Sequence, residues 1–212
     1  MTGNGFHPPV VLEGRWTRLV PLSREHIPGL ATAGKDPEIW QYLRIGPGRT
    51  LAEMTALVEH HLSEQAKGEV LAFAVLLQPG GRPVGIVRYL EIDRENRSVE
   101  IGTWLDSAYW RTPINTEVKL LTMRYAFEDE AVHRFQLKTD VRNVRSQRAI
   151  ERLGAQREGT VREHILRPDG AYRTSIYYAM LAPEWPEAKA RLEALLSRPW
   201  LGPAGRPAPW WS

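Results

Sequence analysis

Three features of this 212-residue chain predict an α/β domain with a mixed sheet. Helical and strand-like periodicities alternate along most of its length rather than segregating. Between Val70 and Asp106 three strand-like runs are joined by short polar turns, the connection that antiparallel neighbours use. From Ser98 onward the order becomes strand, helix, strand, helix, strand, strand.

Arg15 to Leu22 alternates charged and apolar residues, which suits a half-buried strand, and Ser23 can cap a short helix after it. Asp36-Pro37-Glu38 combines an N-cap residue, a proline at the first helical position and an acidic first turn. Thr50-Leu51-Ala52-Glu53 is a capping box, and Leu51, Met54, Val58, His61 and Leu62 keep helical spacing behind it. This helix runs to about Lys67, with Gly68 as its stop. Val70 to Gln78 is nearly continuously apolar. The turn Pro79-Gly80-Gly81-Arg82 leads into Pro83 to Ile92, a hairpin.

Ser98 to Asp106 is a third strand. Its alternation places Val99, Ile101, Thr103 and Leu105 on one face and Glu100, Gly102 and Trp104 on the other. A helix follows over Pro113 to Glu128, then a strand over His133 to Asp140 and a short helix from Val144 to Leu153 ended by Gly154. Two strands, near Gly159–Leu166 and Tyr172–Leu181, flank the turn Pro168-Asp169-Gly170. Pro183 to Leu196 is an amphipathic helix. These signals give one domain over residues 1–198. Residues 199–212 form a Pro/Trp-rich tail without periodicity: Trp200, Trp210 and Trp211 favour packing on the domain or on a second subunit, and the proline content equally suits a disordered end.

Composition narrows the function. Hydrophobic residues are 42% and charged residues 25% of the chain, enough for a packed core. With no cysteine, disulfides, thiolate nucleophiles and Cys-ligated metals are excluded. The net charge of +3 allows an anionic partner without demanding nucleic acid. Neither an apolar run of membrane-spanning length nor a secretory leader is legible, so the expectation is a cytoplasmic protein with no membrane partner. His60-His61 lacks the spacing of a zinc helix, and no metal is expected.

Two stretches carry chemistry. In Glu100 to Glu128 a strand ends, a polar loop intervenes and a helix begins. Thr112 is the N-cap and Pro113 the first helical residue, and Ile114, Asn115 and Thr116 then offer donors to an anion. A well-capped helix would read the same way. In Thr139 to Ala155, Arg142, Arg145, Arg148 and Arg152 share one side of a helix, as phosphate contacts or as a solvated basic face. Asn143 and Ser146 stand at the start of that helix, where capping alone would also place them.

Taken in order, RLVPLSREH, EIGTWLD, YWRTPINTEVKLL, RNVRSQRAIERLGA and EGTVREHILRPDGAYRTSIYYAMLAPEW resemble the GCN5-related N-acetyltransferases, and most closely their RimJ/RimL-type branch. The resemblance runs from about Leu12 to Leu196. It implies a central, mixed but mostly antiparallel sheet flanked by helices, and acetyl-CoA as cosubstrate. It assigns pantetheine to Thr103, Trp104 and Leu105, pyrophosphate to Arg111, Thr112, Pro113, Ile114, Asn115 and Thr116, and a further cofactor contact to Asn143. The sequence departs from the family twice. Where the phosphate loop usually reads Gln/Arg-x-x-Gly-x-Gly/Ala, this chain has Trp110, Pro113 and Asn115. Where many members carry a Tyr as general acid, it has Ile150, and the RimL-type pattern moves that role to Ser146. Glu100 is the expected base, with the small Gly102 leaving room beside it for a water or an amine.

These readings imply acetyl transfer from acetyl-CoA to a primary amine, a protein N-terminus or a small molecule, by direct attack in a ternary complex. The rivals are a degenerate domain that binds a partner without catalysis, and nucleic-acid binding through the Arg-rich helix, whose short run without interleaved aromatics argues against it. A homodimer is one expected assembly. Arg44 to Thr50 is the expected acceptor-specificity loop.

Overall fold

The computed structural model describes residues 10–43, 45, 48–167 and 170–199. The tail's three tryptophans, Arg44, Gly46 and Pro47 of the expected specificity loop, and Pro168 and Asp169 of the last expected turn lie outside the described residues. Eight strands form one sheet. They are β1 (Leu12–Glu13), β2 (Thr17–Pro21), β3 (Leu71–Leu77), β4 (Pro83–Asp93), β5 (Ser98–Leu105), β6 (Arg134–Asp140), β7 (Gln156–Leu166) and β8 (Tyr172–Leu181). Their spatial order is β1-β2-β3-β4-β5-β6-β8-β7, and every neighbouring pair is antiparallel except β5–β6.

The helices are α1 (Ile27–Ala33), α2 (Leu51–Ala66), α3 (Pro113–Arg124), α4 (Val144–Leu153) and α5 (Trp185–Ser197). They divide between the two faces of the sheet, and the alternation along β5 shows the division. Val99, Ile101 and Leu105 join the core built with Ile114, Val118 and Leu121 of α3 and Trp185 and Leu192 of α5. Trp104 joins the second core, with Leu30 of α1, Met54 and Val58 of α2, and Ile86 and Leu90 of β4.

Most elements stand where periodicity puts them, and three differ. The turn around Asp36 makes only one short helical turn, Pro37–Ile39, because Asp36 accepts from the Glu38 N–H at 2.9 Å but no apolar stripe continues behind it. Ser23 is followed first by the short turn Arg24–His26, in which the Ser23 N–H donates to His26 Nδ1 at 3.1 Å, and only then by α1. The helix expected to reach Glu128 loosens after Arg124 into a wider turn over Tyr125–Asp129. There the Tyr125 hydroxyl donates to Glu130 Oε1 at 2.6 Å.

Capping fixes the two helices that matter most. Thr112 Oγ1 accepts from the Ile114 N–H at 3.3 Å to start α3, and Asn143 Oδ1 accepts from the Ser146 N–H at 3.0 Å to start α4. Gly154 ends α4 at φ 94°, a conformation that favours glycine. A side chain there would also strike Arg191, whose Nη2 donates to the Leu153 carbonyl at 2.9 Å.

The β5–β6 pair positions the site. Parallel pairing covers only Ser98↔Arg134, Val99↔Phe135 and Glu100↔Gln136. Beyond that point β5 continues to Leu105 and β6 to Asp140 without pairing. The strands part there, and β5 keeps β4 as its neighbour on the other edge. Among the described residues no helix is long and apolar enough to cross a membrane.

Candidate active site

A cleft of about 960 Å³ opens where β5 and β6 separate, lined by both strands, the start of α3, α4, the segment around Tyr42 and the end of α5. Eleven of the twelve residues expected at the site line it. Ile114 does not: its side chain is fully buried in the α3 core, and its N–H is spent on Thr112.

The anion-facing start of α3 offers fewer backbone donors than the sequence suggests. Pro113 has none, the Ile114 N–H is capped, and in the helical pattern the Thr116 N–H returns to the Thr112 carbonyl. Asn115 keeps the first-turn N–H that neither proline nor the cap removes. Guanidinium groups make up the difference. Arg145 lies over the Trp110 ring, 3.1 Å from its centroid, and Arg111, Arg148 and Arg152 stand nearby on the cleft wall. Trp110 therefore has a role of its own, since it carries Arg145 on one face and donates from Nε1 to the Leu105 carbonyl at 3.1 Å. That bond removes the Leu105 carbonyl from the open edge of β5. Trp104, on the opposite face, packs against Trp40 with ring centroids 5.1 Å apart.

Glu100 is buried and ion-paired. Lys138 Nζ lies 2.7 Å from Oε2, and Gln136 Nε2 donates to the same oxygen at 3.1 Å. The space that Gly102 leaves is filled, contrary to expectation. A Cβ at 102 would lie 3.2 Å from Leu90 Cδ1 and 3.3 Å from Arg88 Nε, so the glycine makes room for a guanidinium, not a water. Asn143 and Ser146 share the cap at the start of α4, and both line the cleft. Ile150 packs in the core beneath them.

Asp140 is a structural anchor. Burial favours its neutral form, but the hydrogen bonds and charge of Arg142, with Arg173 nearby, hold its pKa below the usual range. Arg142 grips it with Nε and Nη2 at 2.9 and 2.8 Å. Arg167, 3.8 Å from the same carboxylate, donates to the Gln41 carbonyl at 2.7 Å. The cluster thus ties the Tyr42 segment to the β7–β8 hairpin.

Several site residues escape sequence reasoning. Lys119 of α3 is buried against β5, its ammonium bonded to Thr103 Oγ1, and burial pushes its pKa down to about 7. Arg88 of β4 is 9% exposed, with Nη1 2.9 Å from both ring nitrogens of His61. His61 is pushed down to about 3, by burial first and then by the charge of Arg88 and by His60. His60, His61 and Glu64 bring metal-type ligand atoms together, but the guanidinium against the His61 ring opposes a second cation there. A lone Arg in the apolar run Pro83–Ile92 was a legible signal, because a charge in a strand buried on both faces must find a partner or a site. Lys119, between Val118 and Leu120, offered less.

The lining as a whole is cationic. Among the described residues nine Lys and Arg side chains face one carboxylate, Glu100. Such a cleft concentrates anions. An open strand edge beside it offers backbone hydrogen bonds to an extended ligand.

Comparison with known proteins agrees with this architecture. Residues 17–156 match the family described as acetyltransferase (GNAT) domain. A crystal structure of a putative acetyltransferase from T. thermophilus superposes with a TM-score of 0.82 at 39% identity, covering 90% of this chain and 99% of that one. A putative ribosomal N-acetyltransferase, YdaF of Bacillus subtilis (strain 168), is 30% identical over 105 residues, 50% of this chain and 57% of the relative. The fold is shared as well with Mycobacterium smegmatis RimJ in complex with CoA-disulfide, at a TM-score of 0.73 and 22% identity over 89% of this chain and 92% of that one.

Proposed function

Because the chain belongs to the acetyltransferase (GNAT) family, we propose that it is an N-acetyltransferase of the RimJ/RimL-type branch that moves an acetyl group from acetyl-CoA to a primary amine. The observation that carries this reading is the cleft at the parting of β5 and β6, with an unpaired strand edge beside a cationic helix start. Those features suit a ligand with amide groups at one end and phosphates at the other. When bound, acetyl-CoA supplies an activated acyl thioester. Thr103 and Trp104 would hold its pantetheine through the backbone, and Arg111, Asn115 and Arg145 its phosphates. Asn143 would add the amide nitrogen that capping leaves over.

An ammonium has no lone pair, so the acceptor must lose a proton before it attacks. Glu100 would take that proton, directly or through a water. Lys138 and Gln136 would orient Glu100 through Oε2 while the carboxylate retains lone pairs for the amine. Ser146, one turn into α4, would return a proton to the departing sulfur. With no cysteine in the chain, attack is direct.

A catalytically silent binding domain is the second reading, favoured by Pro113 in the phosphate loop and by Ile150 at the family's tyrosine position. Glu100→Gln separates the two. It should lower turnover by about 10²–10⁴-fold with an unchanged Kd for acetyl-CoA, and the loss should shrink at high pH, where the amine deprotonates unaided. Wild-type turnover in that variant removes Glu100 from the mechanism. A wild-type melting curve unmoved by millimolar acetyl-CoA overturns the enzyme reading itself.

A further inference from the structure

The cleft follows α3 inward from its start. Pro113, Asn115, Thr116 and Lys119 line it from this helix, and among the described residues Lys119 is the last of α3 to do so. The next turn is closed. There the Thr122 hydroxyl turns back on its own helix and donates to the Val118 carbonyl at 2.9 Å, and Met123 is fully buried. Lys119 thus stands at the inner end of the α3 wall, about 6 Å beyond Asn115 along the helix axis. It is 6% exposed. Its ammonium bonds to Thr103 Oγ1, on the stretch of β5 that has parted from β6. An ammonium has three donors. Thr103 takes one, and no other group among the described residues takes the rest.

A phosphate is the wrong acceptor for those donors. It would have to pass Asn115 and Thr116, where the helix start and Arg111 already offer it donors beside water, and then shed its hydration in a buried site, which is costly for an ion. A neutral hydroxyl or amide carbonyl loses far less on burial, and against an ammonium it gains a charge-assisted hydrogen bond. Acetyl-CoA carries such groups directly after its pyrophosphate, the hydroxyl and first amide carbonyl of the pantoate unit. With the phosphates at the start of α3, these oxygens come next along the α3 wall. Burial pushes the Lys119 pKa down to about 7, and an oxygen that accepts from the ammonium favours its charged form.

We infer that Lys119, held by Thr103, determines cosubstrate specificity by recognising the pantoate oxygens, and so separates an acyl-pantetheine from other phosphate ligands that a cationic helix start would admit. This inference rests on the acetyltransferase reading and goes beyond the backbone and phosphate contacts proposed above. A packing role would be met by the apolar stem alone, without the cost of a buried ammonium whose donors stay unfilled.

The experiment is calorimetric binding of three ligands to the full chain: acetyl-CoA, phosphopantetheine, which keeps the pantoate unit and one phosphate, and adenosine 3′,5′-bisphosphate, which lacks the pantoate. Lys119→Met should weaken acetyl-CoA and phosphopantetheine by about tenfold or more, the equivalent of one hydrogen bond to a charged group. The bisphosphate should stay within about twofold of wild type. The loss should be the same at low and high salt, because a buried contact is poorly screened. Lys119→Gln keeps a donor and should lose less than Lys119→Met, and it carries the test if Lys119→Met fails to fold, which the ligand-free melting curve reports. An equal loss for all three ligands makes Lys119 a general attractor of phosphate and overturns the inference. Unchanged binding of phosphopantetheine by both variants overturns it too. A wild type that binds neither acetyl-CoA nor phosphopantetheine overturns the acetyltransferase reading itself.

Discussion

Glu117 and Lys119 lie two residues apart on α3, 4% and 6% exposed, and the fold treats them in opposite ways. The Glu117 carboxylate accepts from the N–H groups of Arg15, Trp16 and Thr17 at 2.6, 3.0 and 2.7 Å and from the Thr17 hydroxyl at 2.7 Å. Gly14 lies so close that a Cβ there would come within 2.5 Å of the carboxyl carbon. Lys119 has one side-chain partner, Thr103, and no carboxylate partner among the described residues. Both are costly buried charges. One has its hydrogen-bonding capacity filled by the protein and staples the entry to β2 onto α3. The other keeps donors in hand and faces the cleft. A buried charge that the fold satisfies is architecture, and one it leaves half satisfied marks a place for a ligand.

The largest expected effect breaks the satisfied member. Glu117→Ala strands three backbone N–H groups at the edge of the sheet and should cost about 3–5 kcal/mol of stability, measured by urea denaturation. A loss below about 1 kcal/mol would show that water replaces the carboxylate, and the contrast would fail.

The same operation on the other member should have the opposite sign. Lys119→Met keeps the length and apolar stem but removes the amine. The native pKa, near 7, lies below the unfolded value of about 10.4. Between these limits the unfolded chain binds the extra proton, so wild-type stability rises with pH across this window and its penalty is complete below pH 7. Lys119→Met should therefore be more stable than wild type by a few kcal/mol at pH 7, with the advantage fading toward pH 10. It should also bind acetyl-CoA more weakly. Parallel melting curves at pH 7, 8.5 and 10 read this directly. A difference that stays flat across the series would rule out titration of Lys119 as its cause.

The contrast also explains what the sequence disclosed. Periodicity and capping signals are local, so Thr50 with Glu53, Thr112 before Pro113 and the Gly154 stop were all legible, as was the face alternation of β5. Ordered motifs placed the cleft for the same reason. What escaped was pairing across the fold. Glu117 meets residues about a hundred positions earlier, Lys138 reaches back to Glu100, and Arg88 fills the gap at Gly102. Spacing along one strand shows that a glycine leaves space, and only the neighbouring strand shows what occupies it. The helix start failed in a smaller way. Counting donors from Pro113 onward overlooked that the Thr112 cap consumes one and the helix itself another.

Pro113 sharpens the comparison with the smallest expected effect. It lies on the same helix as Glu117 and Lys119 and removes a donor without burying a charge. The missing N–H belongs to a position that no helix satisfies internally, so its loss costs the fold little. Pro113→Ala returns the donor, and it also gives up a preset φ and a buried ring. The variant should lose no more than about 1 kcal/mol of stability. Its Kd for acetyl-CoA should tighten by no more than about fivefold, because Arg111, Arg145 and the Asn115 N–H already answer the phosphates in the proposed complex. Calorimetry at two salt concentrations is the decisive measurement, since guanidinium-dominated binding weakens with salt. If Pro113→Ala instead binds a hundredfold tighter with little salt dependence, backbone donors and not the arginines carry the phosphate site. The half-satisfied groups of this cleft would then matter less than the peptide N–H that proline removes.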